Sequence, residues 1–115
     1  AHKPIESLSI APSQALEWAT INGAQMMGME HKIGSLTPGK QADIILIRSD
    51  DLNLRPVNDP VNAVVFYANA SNIDSVYIAG ELKKKNGHLI YANLSTIMEK
   101  LEISGARILA NSDAA

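Results

Sequence analysis

The chain has 115 residues, enough for one small domain, with ten Lys and Arg against twelve Asp and Glu and a net charge of −2. That balance excludes a basic nucleic-acid surface and an acidic solvating tail, and the absence of cysteine excludes disulfides and thiolate metal sites. No apolar run approaches the ~20 residues of a membrane span, and no charged segment followed by an apolar core opens the chain. The expectation is therefore a soluble, cytoplasmic protein with neither nucleic-acid nor membrane partners.

Ala1 to Ile10 reads as irregular, broken by Pro4, Ser7 and Ser9. Pro12 suits a first helical position, and the spacing of Leu16, Ala19, Gly23 and Met26 predicts one apolar helical face. Thr20-Ile21-Asn22-Gly23 is weakly helical, so two helices are expected, Ser13–Thr20 and Gly23–Met27. Ser13 and Asn22 would cap them, and Gly28 would close the second. Trp18 and the Met26, Met27, Met29 cluster are read as buried packing.

Thr37-Pro38-Gly39-Lys40 predicts a type II turn, with Pro38 setting φ near −65° and Gly39 supplying the positive φ. Ile44–Ile47 follows as a strand covered on both faces. Arg48 to Pro60 is a loop in which Asp50, Asp51 and Asp59 serve Asx-turns. Three more strands are expected: Asn62–Ala68, with Phe66 and Tyr67 buried, then Ser75–Ala79 and Leu82–Lys85. Gly80-Glu81 would form a two-residue turn, and Asn86-Gly87 another. Lys83, Lys84 and Lys85 fit a solvated edge strand better than a phosphate contact. A last helix, Thr96–Leu109, is capped by Asn93 or Ser95, and Asn111 to Ala115 should fray.

Chemistry-bearing residues are sparse. His2, His31 and His88 stand alone, none at a paired metal-ligand spacing, and read as surface histidines. Asp43 opens a buried strand and is assigned to structure, pairing with Lys40 or accepting backbone N–H bonds. Ser13 and Ser95 lack a companion His and acid, and Gly28, Gly34 and Gly39 form no phosphate loop.

Three stretches carry a family resemblance: Leu16 to Ala24, then Ile33-Gly34-Ser35-Leu36 with Pro38-Gly39-Lys40 and Ala42-Asp43-Ile44, then Asp59-Pro60-Val61 onward with Val76-Tyr77-Ile78, Gly80 and Gly87. They resemble the C-terminal region of metal-dependent amidohydrolases, most closely the cytosine deaminase, chlorohydrolase and adenosine-type deaminase branch. The likeness runs from about Ala15 to Ile90. It implies a mixed α and β fold: residues 1–32 end a (β/α)8 catalytic barrel, 33–92 form the C-terminal part of its accessory β-sandwich, and 93–115 are a C-terminal helix and tail. It also implies a parent hydrolase acting on a C–N or C–halogen bond of a heterocyclic ring, with zinc or iron(II) as cofactor. No residue here matches a ligand or acid–base position of that family, so no catalytic, cofactor-binding or metal residue is assigned, and the chain alone is expected to be inactive. Its implied partners are the remainder of its own enzyme or another copy, in a homo-oligomer. A cyclic-amide hydrolase of the hydantoinase or dihydroorotase kind, and a non-catalytic β assembly module, are the alternative readings.

Overall fold

A computed structural model describes residues 9–113, so most of the irregular opening segment expected from the sequence lies outside the described residues. The chain enters α1 (Pro12–Glu17), where Pro12 costs no hydrogen bond and the Gln14 side chain reaches back to accept from the Ala11 N–H at 2.9 Å. The expected break at Thr20–Asn22 does not occur. The chain stays helical through a π turn, Trp18–Asn22, into α2 (Gly23–Met26), and Asn22 holds φ −70° and ψ −36° without acting as a side-chain cap. The Thr20 hydroxyl contributes by donating to the Leu16 carbonyl at 2.7 Å, so a residue that weakens isolated helices is accommodated within this one. Gly28 closes the segment at φ +68°. Ser13 lies inside the first turn and Ala11 occupies the capping position, a correction to the sequence reading.

The turn at Thr37–Lys40 forms as expected, with Lys40 N–H donating to Thr37 C=O at 3.1 Å and Gly39 at φ +94°. β1 (Ile44–Ile47) leads to a short 3-10 turn, Leu52–Leu54. The expected strand Asn62–Ala68 is a helix. Asp59 caps α3 (Pro60–Asn62), its Oδ1 accepting from the N–H groups of Val61 at 2.9 Å and Asn62 at 3.3 Å, and the coil continues as a π turn over Ala63–Tyr67. The β-branched pair Val64-Val65 misdirects the sequence reading. An acidic cap followed by Pro at the first helical position outweighs that preference.

A 3-10 turn, Ala70–Asn72, delivers the chain to β2 (Ile73–Ile78). β3 (Glu81–Lys85) and β4 (His88–Leu89) complete one antiparallel sheet of order β1-β2-β3-β4. Ile78 pairs with Glu81, so the turn is centred on Ala79-Gly80 rather than Gly80-Glu81, with φ of +50° and +80°. Both positive angles are those of a type I′ turn, which fits the strand twist. The lysine run lies in an interior strand, because β4 pairs with its far side through Lys84–Leu89 and Lys85–His88. Those lysines therefore do not guard a free edge.

α4 (Leu94–Asp113) is longer than expected at both ends: it takes in Ser95, and Asn111 to Asp113 are helical. It buries none of its residues among the described ones. The same openness marks the other described residues. Among them Ala24, Leu54 and Ala63 are the buried hydrophobics, whereas Trp18, Met26, Met27, Phe66 and Tyr67 are all more than half exposed. The burial expected for them does not occur within the described residues. Ile45 and Leu46 are similarly uncovered, so β1 is not covered on both faces here. The radius of gyration is 20.0 Å, against about 13 Å for a compact chain of this length.

Candidate functional site

The densest set of polar groups links three loops. Arg48, just past β1, points Nε at Asp51 Oδ2 (3.2 Å) and Nη1 at Asp74 Oδ1 (3.4 Å), while its Nη2 donates to the Ser71 carbonyl. Asn72, 1% exposed, is the hub. Its Oδ1 accepts from Asn53 Nδ2 at 2.8 Å and from the Asn69 N–H at 2.9 Å; its Nδ2 donates to Asp51 Oδ2 at 2.8 Å and to Asn53 Oδ1 at 2.9 Å. The amide thus fills its hydrogen-bonding capacity, and the cluster fixes the loop after β1 onto the entrance of β2. Among the described residues no buried side-chain nitrogen or oxygen lacks a partner, and the hydrogen bonds within this cluster tie loop to loop, which is a structural task.

The Asn72 hydrogen bond, aided by the charge and hydrogen bond of Arg48, holds the Asp51 carboxyl below its ordinary value of 3.8. A depressed carboxylate pKa contributes stability that is present above the unfolded value and lost as pH falls toward the folded one. The unfolding midpoint should therefore drop as pH is lowered from the ordinary aspartate range. Asp51→Asn should flatten that dependence, as followed by urea titrations at a series of pH values. An unchanged acid slope in the variant would show that Asp51 is not the group responsible.

Beside the cluster lies an open groove of about 470 Å³ between the 53–59 loop and the helix that follows, lined by Leu54, Pro56, Asp59, Asn62, Phe66 and Tyr67. Asp59 is committed to capping α3. The groove brings no acid–base pair and no nucleophile together.

The sequence-derived residues are dispersed. His31 is exposed in the connection after α2, and His88 is exposed in the edge strand β4; His2 lies outside the described residues. Asp43 Oδ1 accepts the Ala79 N–H at 2.7 Å, tying the β2–β3 turn to the start of β1, while Lys40 reaches the Ile33 carbonyl at 3.4 Å instead of Asp43. Lys83 pairs with Glu81 at 2.8 Å. Asp51 joins the Arg48–Asn72 cluster rather than a local Asx-turn. Sequence reading missed Arg48, Asn53, Asn72 and Asp74, whose partners lie across loops, although the density of Asn and Asp in those loops was visible. Among the described residues no group of three or more His, Cys, Asp or Glu side chains is placed to hold a metal ion. The residues present do not fit the cofactor that the family resemblance implies, and no step through a metal follows from them.

Residues 3–83 match the amidohydrolase family. The chain belongs to that family. It is 40% identical over 103 residues to a 5-methylthioadenosine/S-adenosylhomocysteine deaminase of Teredinibacter turnerae, a match covering 84% of this chain and 23% of that protein. Its fold superposes on an adenosine deaminase of Xanthomonas campestris with bound zinc at a TM-score of 0.80 and 26% identity, covering 87% of this chain and 23% of that one. A triazine hydrolase variant shares the fold at a TM-score of 0.70 and 24% identity, over 79% of this chain and 20% of that one. This amidohydrolase chain thus spans about a quarter of the length of the relatives it matches. No helix among its described residues is long and apolar enough to cross a membrane.

Proposed function

We propose that this chain is the C-terminal, non-catalytic part of a deaminase-type amidohydrolase. The parent enzyme would hydrolyse a C–N bond of a heterocyclic ring, with an adenine nucleoside such as 5′-methylthioadenosine or S-adenosylhomocysteine as the first substrate to test, and zinc as its metal. The observation that carries this reading is a pairing of facts. The family match covers most of the chain, yet no metal-holding group is present among the described residues. In this reading the four-stranded sheet is one part of an accessory β-sandwich, and the helix through Trp18 closes the catalytic barrel. Burying a large apolar side chain stabilises by roughly 1.5–3 kcal/mol. The exposed Trp18, Met26, Met27, Phe66 and Tyr67 then mark where the remainder of the enzyme, or another copy in a homo-oligomer, packs.

Two proteins test the proposal: this chain alone, and the chain extended upstream by its natural coding sequence. The extended protein should bind zinc stoichiometrically and release ammonia from 5′-methylthioadenosine or S-adenosylhomocysteine. The chain alone should do neither. Zinc binding with ammonia release by the short chain would overturn the non-catalytic role, and an extended protein inert toward ring amines would overturn the deaminase reading.

A further inference from the structure

The sequence contains two Asn-Gly steps, Asn22-Gly23 and Asn86-Gly87, and the fold places them in opposite surroundings. An Asn-Gly step carries a latent reaction, because a glycine amide nitrogen flanked by no Cβ can approach the preceding asparagine side-chain carbonyl. At Asn22 that approach is blocked. Asn22 and Gly23 both hold right-handed helical angles within a continuous helix, and Asn22 Nδ2 donates to Gln25 Oε1 at 3.0 Å. Asn86 and Gly87 are instead the centre of the β3–β4 turn, both exposed, with φ of +51° and +79°. A Cβ at Gly87 would meet nothing nearer than the Arg48 guanidinium at 3.8 Å. The turn is held by the Gly87 N–H donating to the Asp74 carbonyl at 3.0 Å and by a two-residue exposed strand. Such a tip belongs to the least stable part of a fold, where brief local opening is cheapest.

We propose that Asn86 is a site of spontaneous deamidation in the folded protein, with water as the co-reactant. In the opened turn the Gly87 amide nitrogen gives up its proton and bonds to Asn86 Cγ. The Cγ–Nδ2 bond breaks, the side-chain nitrogen leaves as ammonia, and a succinimide remains. Water then opens the ring at either carbonyl, yielding aspartate or isoaspartate at position 86. The net exchange of NH2 for OH makes the chain one unit more negative than its present −2. The aspartate product keeps the turn, since Asp tolerates the left-handed region. The isoaspartate product inserts an extra backbone carbon between β3 and β4 and displaces the pairing of Lys84 with Leu89 and Lys85 with His88.

The full chain is incubated in warm, mildly alkaline buffer, and peptide mapping by mass spectrometry follows both Asn-Gly steps, with a parallel sample in denaturant. In the folded chain modification should concentrate at Asn86, with Asn22 intact when half of Asn86 has reacted. In denaturant the two steps should react at similar rates. Asn86→Gln should abolish the modification at that position without unmasking Asn22. Conversion of Asn86 only in denaturant would show that the turn protects it and would overturn the proposal, as would equal reaction at Asn22 and Asn86 in the folded chain.

Discussion

Gly34→Ala should destabilise the protein by about 2–4 kcal/mol, from a steric overlap combined with left-handed backbone strain. Gly34 sits at φ +95° where the connection after α2 crosses the helix. A Cβ there would lie 2.8 Å from Ala24 Cβ and 3.0 Å from Ile21 Cα. Neither neighbour can yield easily: one is main chain, and Ala24 is among the few buried hydrophobics. Gly39 provides the internal control. It has nearly the same φ, +94°, but an added methyl would find no atom within 4 Å, so Gly39→Ala should cost only the backbone strain, ~1 kcal/mol. Urea unfolding of the two variants beside the parent separates the effects. Equal losses would mean that the contact with Ile21 and Ala24 contributes nothing.

Replacing Asn72 by Ala should cost about 2–4 kcal/mol, the scale of leaving several buried hydrogen-bonding groups unpaired. The loss strands the Asn69 N–H, removes both bonds to Asn53, and takes from Asp51 the partner that most favours its ionised form. Asn58→Ala, an exposed change in the neighbouring loop, should stay within about 0.5 kcal/mol. Denaturant midpoints decide it. A neutral Asn72→Ala would show that water replaces the amide at no cost, and that Arg48 with its two carboxylates suffices to hold the loops.

Two of the three expected turns were the most legible part of the chain, while the third, expected at Gly80-Glu81, sits one residue earlier at Ala79-Gly80. Pro38-Gly39 and Asn86-Gly87 specify their backbone angles within two residues, because proline fixes φ and glycine supplies the positive φ. β1 and β2 were legible to within a residue or two because short runs rich in Ile and Val between turn residues have few alternatives, and β3 because it lies between two glycine turns. The same local evidence failed at Asn62–Ala68, where Val64 and Val65 suggest a strand but the Asp59 cap and Pro60 start a coil that continues to Tyr67. It failed again at Thr20–Asn22, where the Thr20 hydroxyl bonds back to Leu16 and the helix passes through what reads as a break.

The sequence by itself carried the family resemblance, in the motifs over residues 16–24, 33–44 and 59–87, and it showed that the three histidines have no paired spacing. Only the tertiary structure decided which strand is an edge, since β4 is two residues long and its pairing with β3 depends on the Asn86-Gly87 turn closing. Only the tertiary structure revealed the Arg48–Asp51–Asn53–Asn72–Asp74 cluster, whose members are separated by as many as 26 positions. Hydrogen bonds between side chains in different loops depend on distances that the whole fold sets, and no local pattern of residues encodes them.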